Sequence, residues 1–391
     1  MPIAAVLLLL AATVSPAASP APPPEVPEMR AFAFDLYAGL REEPGNLALS
    51  PWSVASALVS LADGARGATR VEIEKALRLP RTWEESRARW LESLAALGAR
   101  SGDGVDLDAA NALWVGRGQR LLPAFVEGLS EGLDVEVERA DFAGDPAGTE
   151  ATINRFVSER TRGKIPRLVS NLDPRTRLLI VNAIYFKGLW AFPFEKERTE
   201  TLPFTGSSGA SAPRPFLRKK EEFRYFEDAD LQALELPYRG GEVRMLLLLP
   251  TTKGGLPAVE RTLDRARYDA IVAAMRTWDV DVSIPKFKIE SSFERSFVRA
   301  LDALGMKTAF TERADFSGMT GARDLFVSRG IHKVFVAIDE EGTEAAAATG
   351  IGMRPVSVVP SARFTADHPF LFVIRDVPTG TILFLGRVES P

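Results

Sequence analysis

The stretch "VFVAIDEEGTEAAAATGIGMRPVSVVPSARF", Val334 to Phe364, decides how this chain is read. It opens as an apolar strand, passes the carboxylates Glu340 and Glu341 and then Gly342, and reaches four alanines before a proline-spotted tract of mostly small residues. Such a segment has almost nothing to bury. With a strand period of two, Thr343, Ala345, Ala347 and Thr349 fall on one face, while Glu344, Ala346, Ala348 and Gly350 fall on the other. The charge at Glu344 is therefore opposite a small, burial-ready set, and Gly342 supplies backbone freedom for a pivot. A surface loop or an alanine-rich helix start would use the same composition. The helix would be short, because Gly342, Gly350 and Gly352 bracket the run, and a plain loop leaves the alternation unexplained.

Outward from this stretch, 391 residues that are 46% hydrophobic supply ample material for a large core. That length by itself suggests two or three domains. No linker-like shift in composition interrupts residues 28–391, however, so a single domain is the better reading. The formal net charge of -4 is scattered along the chain and leaves no overall footprint for nucleic acid or an anionic membrane. The absence of cysteine excludes disulfides, thiol catalysis and cysteinyl metal sites, and leaves the redox compartment open. At the N-terminus the apolar run Ile3 to Val14 is too short to span a bilayer comfortably but suits a signal-peptide core. Cleavage is expected near Ala17 to Ser19, making residues 1–19 a signal peptide and 20–27 a Pro-rich linker, although no Lys or Arg precedes the run. The expected location is secreted or periplasmic, with no membrane span in the mature chain. No cysteine is present to carry a lipid, and no asparagine lies in an N-x-Ser/Thr acceptor.

Met29 to Leu40 reads as a helix, and "NLALSPWSVASALVSLADGARGATRVEIEKALRL" as two more, with Pro51 in a first turn and Gly64 and Gly67 at the break. "TWEESRARWLESLAALGAR" is an amphipathic helix with a solvated charged face. "RLLIVNAIYFKGLW", Arg177 to Trp190, is apolar and β-branched enough for a strand buried on both faces, and "VRMLLLLP" and "TILFLGRV" behave similarly. Helices recur at "GLPAVERTLDRARYDAIVAAM" and "SSFERSFVRALDALGM". Strands and helices mix without a βαβ rhythm, which predicts an α+β fold with large antiparallel or mixed sheets.

The chemistry of a hydrolase is missing. The two histidines, His332 and His368, lie in neither a G-x-S-x-G nor an H-E-x-x-H context. "TRGKIP" superficially resembles a phosphate loop, but Ser158 stands where its first glycine belongs and Ile165 replaces the required hydroxyl. With two histidines and no cysteine, a catalytic zinc site is not expected, and neither is any other cofactor.

Five stretches in order carry a resemblance to a known family: "NLALSPWSVASALVSLADGARGAT", "INRFVSERTRGKIPRLV", "LLIVNAIYFKGLWAFPFEKERTETLPF", "IHKVFVAIDEEGTEAAAATG" and "ADHPFLFVIRDVPTGTILFLGRV". In them the chain resembles the serpin superfamily from about Glu28 to its end. The resemblance implies three β-sheets with about nine helices, and an exposed reactive loop that baits a serine protease. It also implies a monomeric suicide substrate: cleaved in its loop, the chain stays esterified to the protease while the freed hinge, Glu340 to Thr349, inserts as a strand into the central sheet. Within that scheme Ser50, Ser53, Asn182 and His332 match the shutter under the sheet, with His332 a buried, hydrogen-bonded gate. Trp190 matches the breach tryptophan at the top of the sheet, and Lys286 with Glu340 matches an ion pair at the loop's entrance, read here as an exposed pair worth about 0 to 1 kcal/mol.

The usual serpin spacing from Glu340 places the scissile bond between Val356 and Ser357, flanked by Met353, Arg354 and Pro355. Val356 is a small branched bait that suits an elastase-like protease, with a subtilisin-like one as the second choice. Arg354 would suit a trypsin-like enzyme, but Pro355 follows it. The alternative from another class is a serpin-fold binding or chaperone protein that does not inhibit. Bulky, charged or proline residues in the hinge would mark that class, and Ala345 to Thr349 carries none.

Overall fold

The computed structural model describes residues 27–79, 82–98, 104–130, 133, 135–343 and 360–391. In chain order its elements are α1 (Pro27–Leu40), β1 (Leu47–Leu49), α2 (Pro51–Gly64), α3 (Gly67–Ala76), α4 (Trp83–Gly98), β2 (Val105–Gly116), α5 (Pro123–Ser130), β3 (Glu136–Ala140), α6 (Pro146–Arg160) and β4 (Leu178–Leu189). Next come β5 (Glu200–Thr205), β6 (Ser211–Glu227), β7 (Leu231–Pro237), β8 (Val243–Pro250), α7 (Leu256–Thr262), α8 (Arg265–Ala274), β9 (Arg276–Pro285) and β10 (Phe287–Phe293). The chain ends with α9 (Arg295–Ala303), α10 (Ser317–Thr320), β11 (Val327–Ile338), β12 (Gly342–Thr343), β13 (Ser361–Thr365), β14 (Phe370–Asp376) and β15 (Ile382–Val388).

Local chemistry sets several of these boundaries. Ser50 caps α2 by accepting from Ser53 N at 3.2 Å, with Pro51 in the first turn. Asp145 does the same for α6 ahead of Pro146, accepting from Gly148 N at 2.8 Å. Two sequence expectations need correction. The stretch from Gly255 to Met275 is two helices, because Asp264 turns extended and caps a new start by accepting from Arg267 N at 2.8 Å. The supposed helix beginning at Ser291 starts only at Arg295, because "FKIESSF" alternates buried and exposed and completes β10.

Among the described residues the strands form two hydrogen-bonded sheets, one of nine strands and one of six. The third sheet implied by the resemblance is continuous with the larger one through β6, a long strand that pairs β5 at its start, β9 from Phe216 to Tyr225 and β7 at its end. The smaller sheet runs β10-β11-β4-β2-β3, with β12 added beside β4. Helix α2 packs on β15 of one sheet and on β2 and β4 of the other, and every residue in it except Asp63 is buried. Its buried Ser56 and Ser60 hydroxyls are satisfied by the carbonyls of Trp52 and Ser56, one turn back. On the outer face of the smaller sheet, Ile153 and Val157 of α6 form a second core with Leu179, Val181, Ala183 and Tyr185 of β4.

Candidate functional site

The site is the seam between β4 and β11, two parallel neighbours paired from Leu178–Val327 up to Tyr185–Phe335. Along β4, Leu178, Ile180, Ile184 and Phe186 point into the main core while the residues between them point into the outer one, so the strand is buried on both faces as its composition predicts. Asn182 breaks the inward set with a polar side chain. Directly across β2 and β11 stand Asn111 and His332, so one polar row crosses three strands.

Every member of that row is buried. Ser50 N donates to His332 Nε2 at 3.0 Å, which makes Nε2 the acceptor and leaves Nδ1–H to donate to Asn182 Oδ1 across the seam. Asn182 Nδ2 reaches Ser53 O and Ser53 Oγ, both at 2.8 Å, and Asn111 Oδ1 at 2.6 Å, while Ser53 Oγ donates to Asn111 Oδ1 at 3.0 Å. Burial pushes the His332 pKa down from 6.5 to about 3, so the imidazole is neutral in the folded protein at physiological pH. The structure thus brings Ser50, Ser53, Asn182 and His332 together and adds Asn111, whose Nδ2 has no hydrogen-bond partner among the described residues. The available signal was an asparagine inside an apolar strand, as at Asn182.

Above Tyr185, β4 continues without β11, and there Gly342 and Thr343 pair antiparallel with Leu189 and Gly188. The start of the hinge is already a strand. Gly342 has φ 144°, and a Cβ on it would lie 2.0 Å from the Gly188 carbonyl oxygen, so glycine is required both for conformation and for the close approach. Before it, residues 339–341 are held by their carbonyls: Trp190 Nε1 donates to Asp339 O at 3.0 Å, Trp190 N to Glu341 O at 2.9 Å, and Phe194 N to Glu340 O at 2.7 Å. The Trp190 ring is buried and stacks on Tyr238 at 4.5 Å.

The Lys286–Glu340 pair forms at 2.8 Å, but it is not the exposed pair expected: the Glu340 side chain is only 9% accessible. Burial pushes the Glu340 carboxyl up, and hydrogen bonds from Lys286 and Thr199 outweigh that and hold it below its ordinary value. Thr199 Oγ1 donates to Glu340 at 2.8 Å and Lys196 Nζ to Glu341 at 2.9 Å. Neither Lys196 nor Thr199 had a signal in the sequence, since both sit in an irregular connection around a short 3₁₀ turn. Glu344, Ala345, Ala346, Ala347, Ala348 and Thr349 of the expected hinge, and Met353, Arg354, Pro355, Val356 and Ser357 of the expected bait, lie outside the described residues, as do residues 1–26, expected as a signal peptide and most of a linker. Beyond them the chain returns at Pro360 and enters β13, which pairs in parallel with β9 of the larger sheet.

The comparisons with known proteins agree with this geometry. The family model for Serpin (serine protease inhibitor) matches residues 27–391. A serpin-like protein of Thermococcus kodakarensis is 40% identical over 374 residues, 94% of this chain and 86% of that one. The leukocyte elastase inhibitor of Bos taurus is 39% identical over 372 residues, 92% of this chain and 97% of the other. The crystal structure of human thyroxine-binding globulin with thyroxine superposes with a TM-score of 0.85 at 28% identity, covering 93% of this chain and 97% of that one. A sheet parted at its top, a glycine-pivoted strand already started in the gap and a family match over nearly the whole chain lead to one assignment: the chain belongs to the serpin family of serine protease inhibitors.

Proposed function

We propose that this protein inhibits a serine protease as a suicide substrate, by inserting its cleaved loop between β4 and β11. The observation that carries this reading is the pairing of Gly342 with Leu189 and Thr343 with Gly188, because an antiparallel register, once started, dictates every later partner. Continued down β4, it sets Glu344 opposite Lys187, Ala345 opposite Phe186, Ala346 opposite Tyr185, Ala347 opposite Ile184, Ala348 opposite Ala183 and Thr349 opposite Asn182. Three of the four alanines then meet large residues of β4, and Glu344 meets a lysine on the face away from the main core. Thr349 arrives where Asn182 and His332 lose each other and need new polar partners. Insertion also replaces one parallel seam by two antiparallel ones, which are slightly more stable per residue.

The same register brings Val356 beside Arg175, just below the start of β4. Arg175 lines an open cleft of about 1010 Å³ together with Arg177, Glu294 and Arg329. At about 3.3 Å per residue, a protease esterified to Val356 would travel about 46 Å from the top of the sheet to its foot. In the trapping step the protease serine Oγ bonds to the Val356 carbonyl carbon as the Val356–Ser357 peptide bond breaks, and the leaving nitrogen of Ser357 takes the proton. The acyl-enzyme then waits for a water that the displaced site no longer positions.

Val356 favours an elastase-like target, and the relative named as a leukocyte elastase inhibitor supports that choice. The apolar run Ile3 to Val14 supports an exported protein that meets its target outside the cell. The test is a panel of elastase-, subtilisin- and trypsin-like enzymes. A complex with the elastase-like enzyme that survives boiling in SDS is expected, with the released fragment beginning at Ser357. A fragment beginning at Pro355 would make Arg354 the bait, and cleavage without capture across the panel would leave the binding-protein reading in its place.

A further inference from the structure

We propose that the foot of the smaller sheet, at Arg117, Arg120 and Arg139, is a docking surface for anionic phospholipid headgroups. The site stands on its own geometry, and only the last consequence drawn from it rests on the inhibitory reading.

The formal net charge of -4 conceals a local reversal. β2 and β3 run parallel and end together, with Gly116 opposite Ala140, at the same end of the sheet as Leu178, the first residue of β4. The turn that leaves β2 there carries Arg117 and Arg120, and Arg139 is the penultimate residue of β3. Strand alternation sets Val137 and Arg139 on the side of the main core and Glu136, Glu138 and Ala140 on the side of the outer one, so Arg139 is turned away from its acidic neighbours. With Gly118 and Gln119, the three arginines line an open cleft of about 550 Å³ that has no carboxylate in its wall. Arg139 donates through Nη1 to the Gln119 carbonyl, a neutral partner that fixes the guanidinium without cancelling its charge. Arg117 reaches Asp141 only at 3.4 Å, and Arg120 has no partner among the described residues. Three guanidinium forks on one cleft fit the oxygens of phosphate groups.

A second observation separates a lipid from a soluble polyanion. Four large apolar residues are exposed among the described residues, and two of them, Leu122 at 37% and Val126 at 38%, follow directly on Arg120. Val126 N donates to the Leu122 carbonyl, so the two stand one helical turn apart at the start of α5, on one face. A polymer of sulfates or phosphates has no use for them. At a bilayer surface they enter the boundary between headgroups and acyl chains while the arginines hold the headgroups.

The orientation that follows is specific. Gly342 pairs with Leu189 at the other end of β4, about 36 Å from the foot at 3.3 Å per residue. A docked molecule therefore holds its hinge away from the membrane, and docking leaves the loop untouched. A trapped protease changes this. Insertion brings Val356 beside Arg175 in the 1010 Å³ cleft, and a smaller cleft joins that one to the arginine site, sharing Arg177 with the first and Arg117 with the second. The protease arrives where the membrane lies, so capture should expel the complex from the surface.

Cosedimentation of the mature chain with vesicles of phosphatidylcholine, alone or mixed equally with phosphatidylglycerol, tests the site. The chain should partition onto the mixed vesicles and not onto the neutral ones. Arg120→Ser should weaken partition about fivefold, as for one cation lost near a charged surface. The pair Leu122→Ser and Val126→Ser should weaken it about tenfold, and Arg265→Ser on α8 should leave it unchanged. All four side chains are exposed, and equal melting temperatures check that each variant is folded. Equal binding to both kinds of vesicle, or none to either, overturns the site. Loss with Arg120→Ser, no loss with the serine pair and equally tight binding to dextran sulfate would assign the arginines to a soluble polyanion and overturn lipid docking. Release of the chain from mixed vesicles as a boiling-resistant protease complex forms supports the orientation, and a complex that stays bound overturns it. Partition without any protease complex would overturn the inhibitory reading and leave the lipid site standing.

Discussion

The pairs β14–β15 and β4–β11 lie on opposite sides of α2, and both are almost wholly buried, yet they are stitched differently. β14 and β15 form an antiparallel hairpin whose residues are all buried, with polar contacts at its two ends: Asp376 accepts from Thr379 N at 2.9 Å and Arg375 reaches Glu235 at 2.9 Å near the turn, and Arg387 donates to the Gly45 carbonyl at 2.9 Å at the open end. β4 and β11 are parallel, distant in sequence and open at the top, and a polar row crosses them. Apolar contacts give no advantage to any separated state, so an apolar seam stays shut. Directional bonds can be exchanged for other directional bonds, so a polar seam can open and close again around a new strand.

The largest test of that contrast is a nick near Val356. Roughly ten new ladder hydrogen bonds at about 1 kcal/mol each should stabilise the cleaved chain by about 10 kcal/mol, as much as an ordinary domain's whole stability. The guanidinium unfolding midpoint before and after cleavage measures it, and an unchanged or lower midpoint would remove the distinction between the seams.

Next come paired substitutions. Phe372→Ala on β14 should cost about 3–5 kcal/mol in the native and the cleaved chain alike, because that seam is the same in both. Asn182→Leu should cost about 1–3 kcal/mol in the native chain, where it orphans the His332 Nδ1 proton and the Ser53 and Asn111 acceptors, and a different amount after cleavage, when those partners have been exchanged. Equal losses for Asn182→Leu in the two states would show that the row is not remade.

Acid probes the row at smaller scale. His332 has a folded pKa of about 3 against 6.5 unfolded, so between these values the unfolded chain binds the extra proton. The stability this histidine confers is complete above pH 6.5 and should fall by about 1.4 kcal/mol per pH unit on acidification below it. His332→Gln should flatten that part of the urea-midpoint profile. A profile as steep in the variant would assign the acid sensitivity elsewhere.

The smallest effect is expected from Lys286→Met, about 1 kcal/mol, since the lysine is partly solvated. Glu340 has a lowered pKa, so the contribution of this pair is present above the ordinary glutamate range and fades as pH falls through the folded value. The difference in midpoint between wild type and variant should therefore shrink toward pH 4 and below. A constant difference would mean that packing of the lysine stem, and not its charge, supports the entrance.

Part of this was legible in the sequence. The two-faced burial of β4 follows from its continuous apolar, β-branched composition, and Pro51, Gly64 and Gly67 marked real helix boundaries. Ser50, Ser53, Asn182 and His332 came from family resemblance, because no local pattern says which buried polar residues meet across gaps such as that from Asn182 to His332. Asn111, Lys196 and Thr199 were missed for the same reason: their partners are set by tertiary register, and a residue in an irregular connection has no period to betray it. The helix expected from Ser291 starts only at Arg295, because the buried–exposed alternation of β10 outweighs the helical propensity of that stretch.

Trp190 carries one more consequence. Its indole is stacked on Tyr238 and donates to the Asp339 carbonyl in the turn just ahead of the hinge, so its surroundings change as soon as the chain beyond that turn is drawn inward. Indole emission responds to the loss of a hydrogen bond and to a change in nearby polarity. With the other five tryptophans replaced by phenylalanine, the molecule would carry its own optical gauge, reporting the first ångströms of loop movement in real time and without any attached dye.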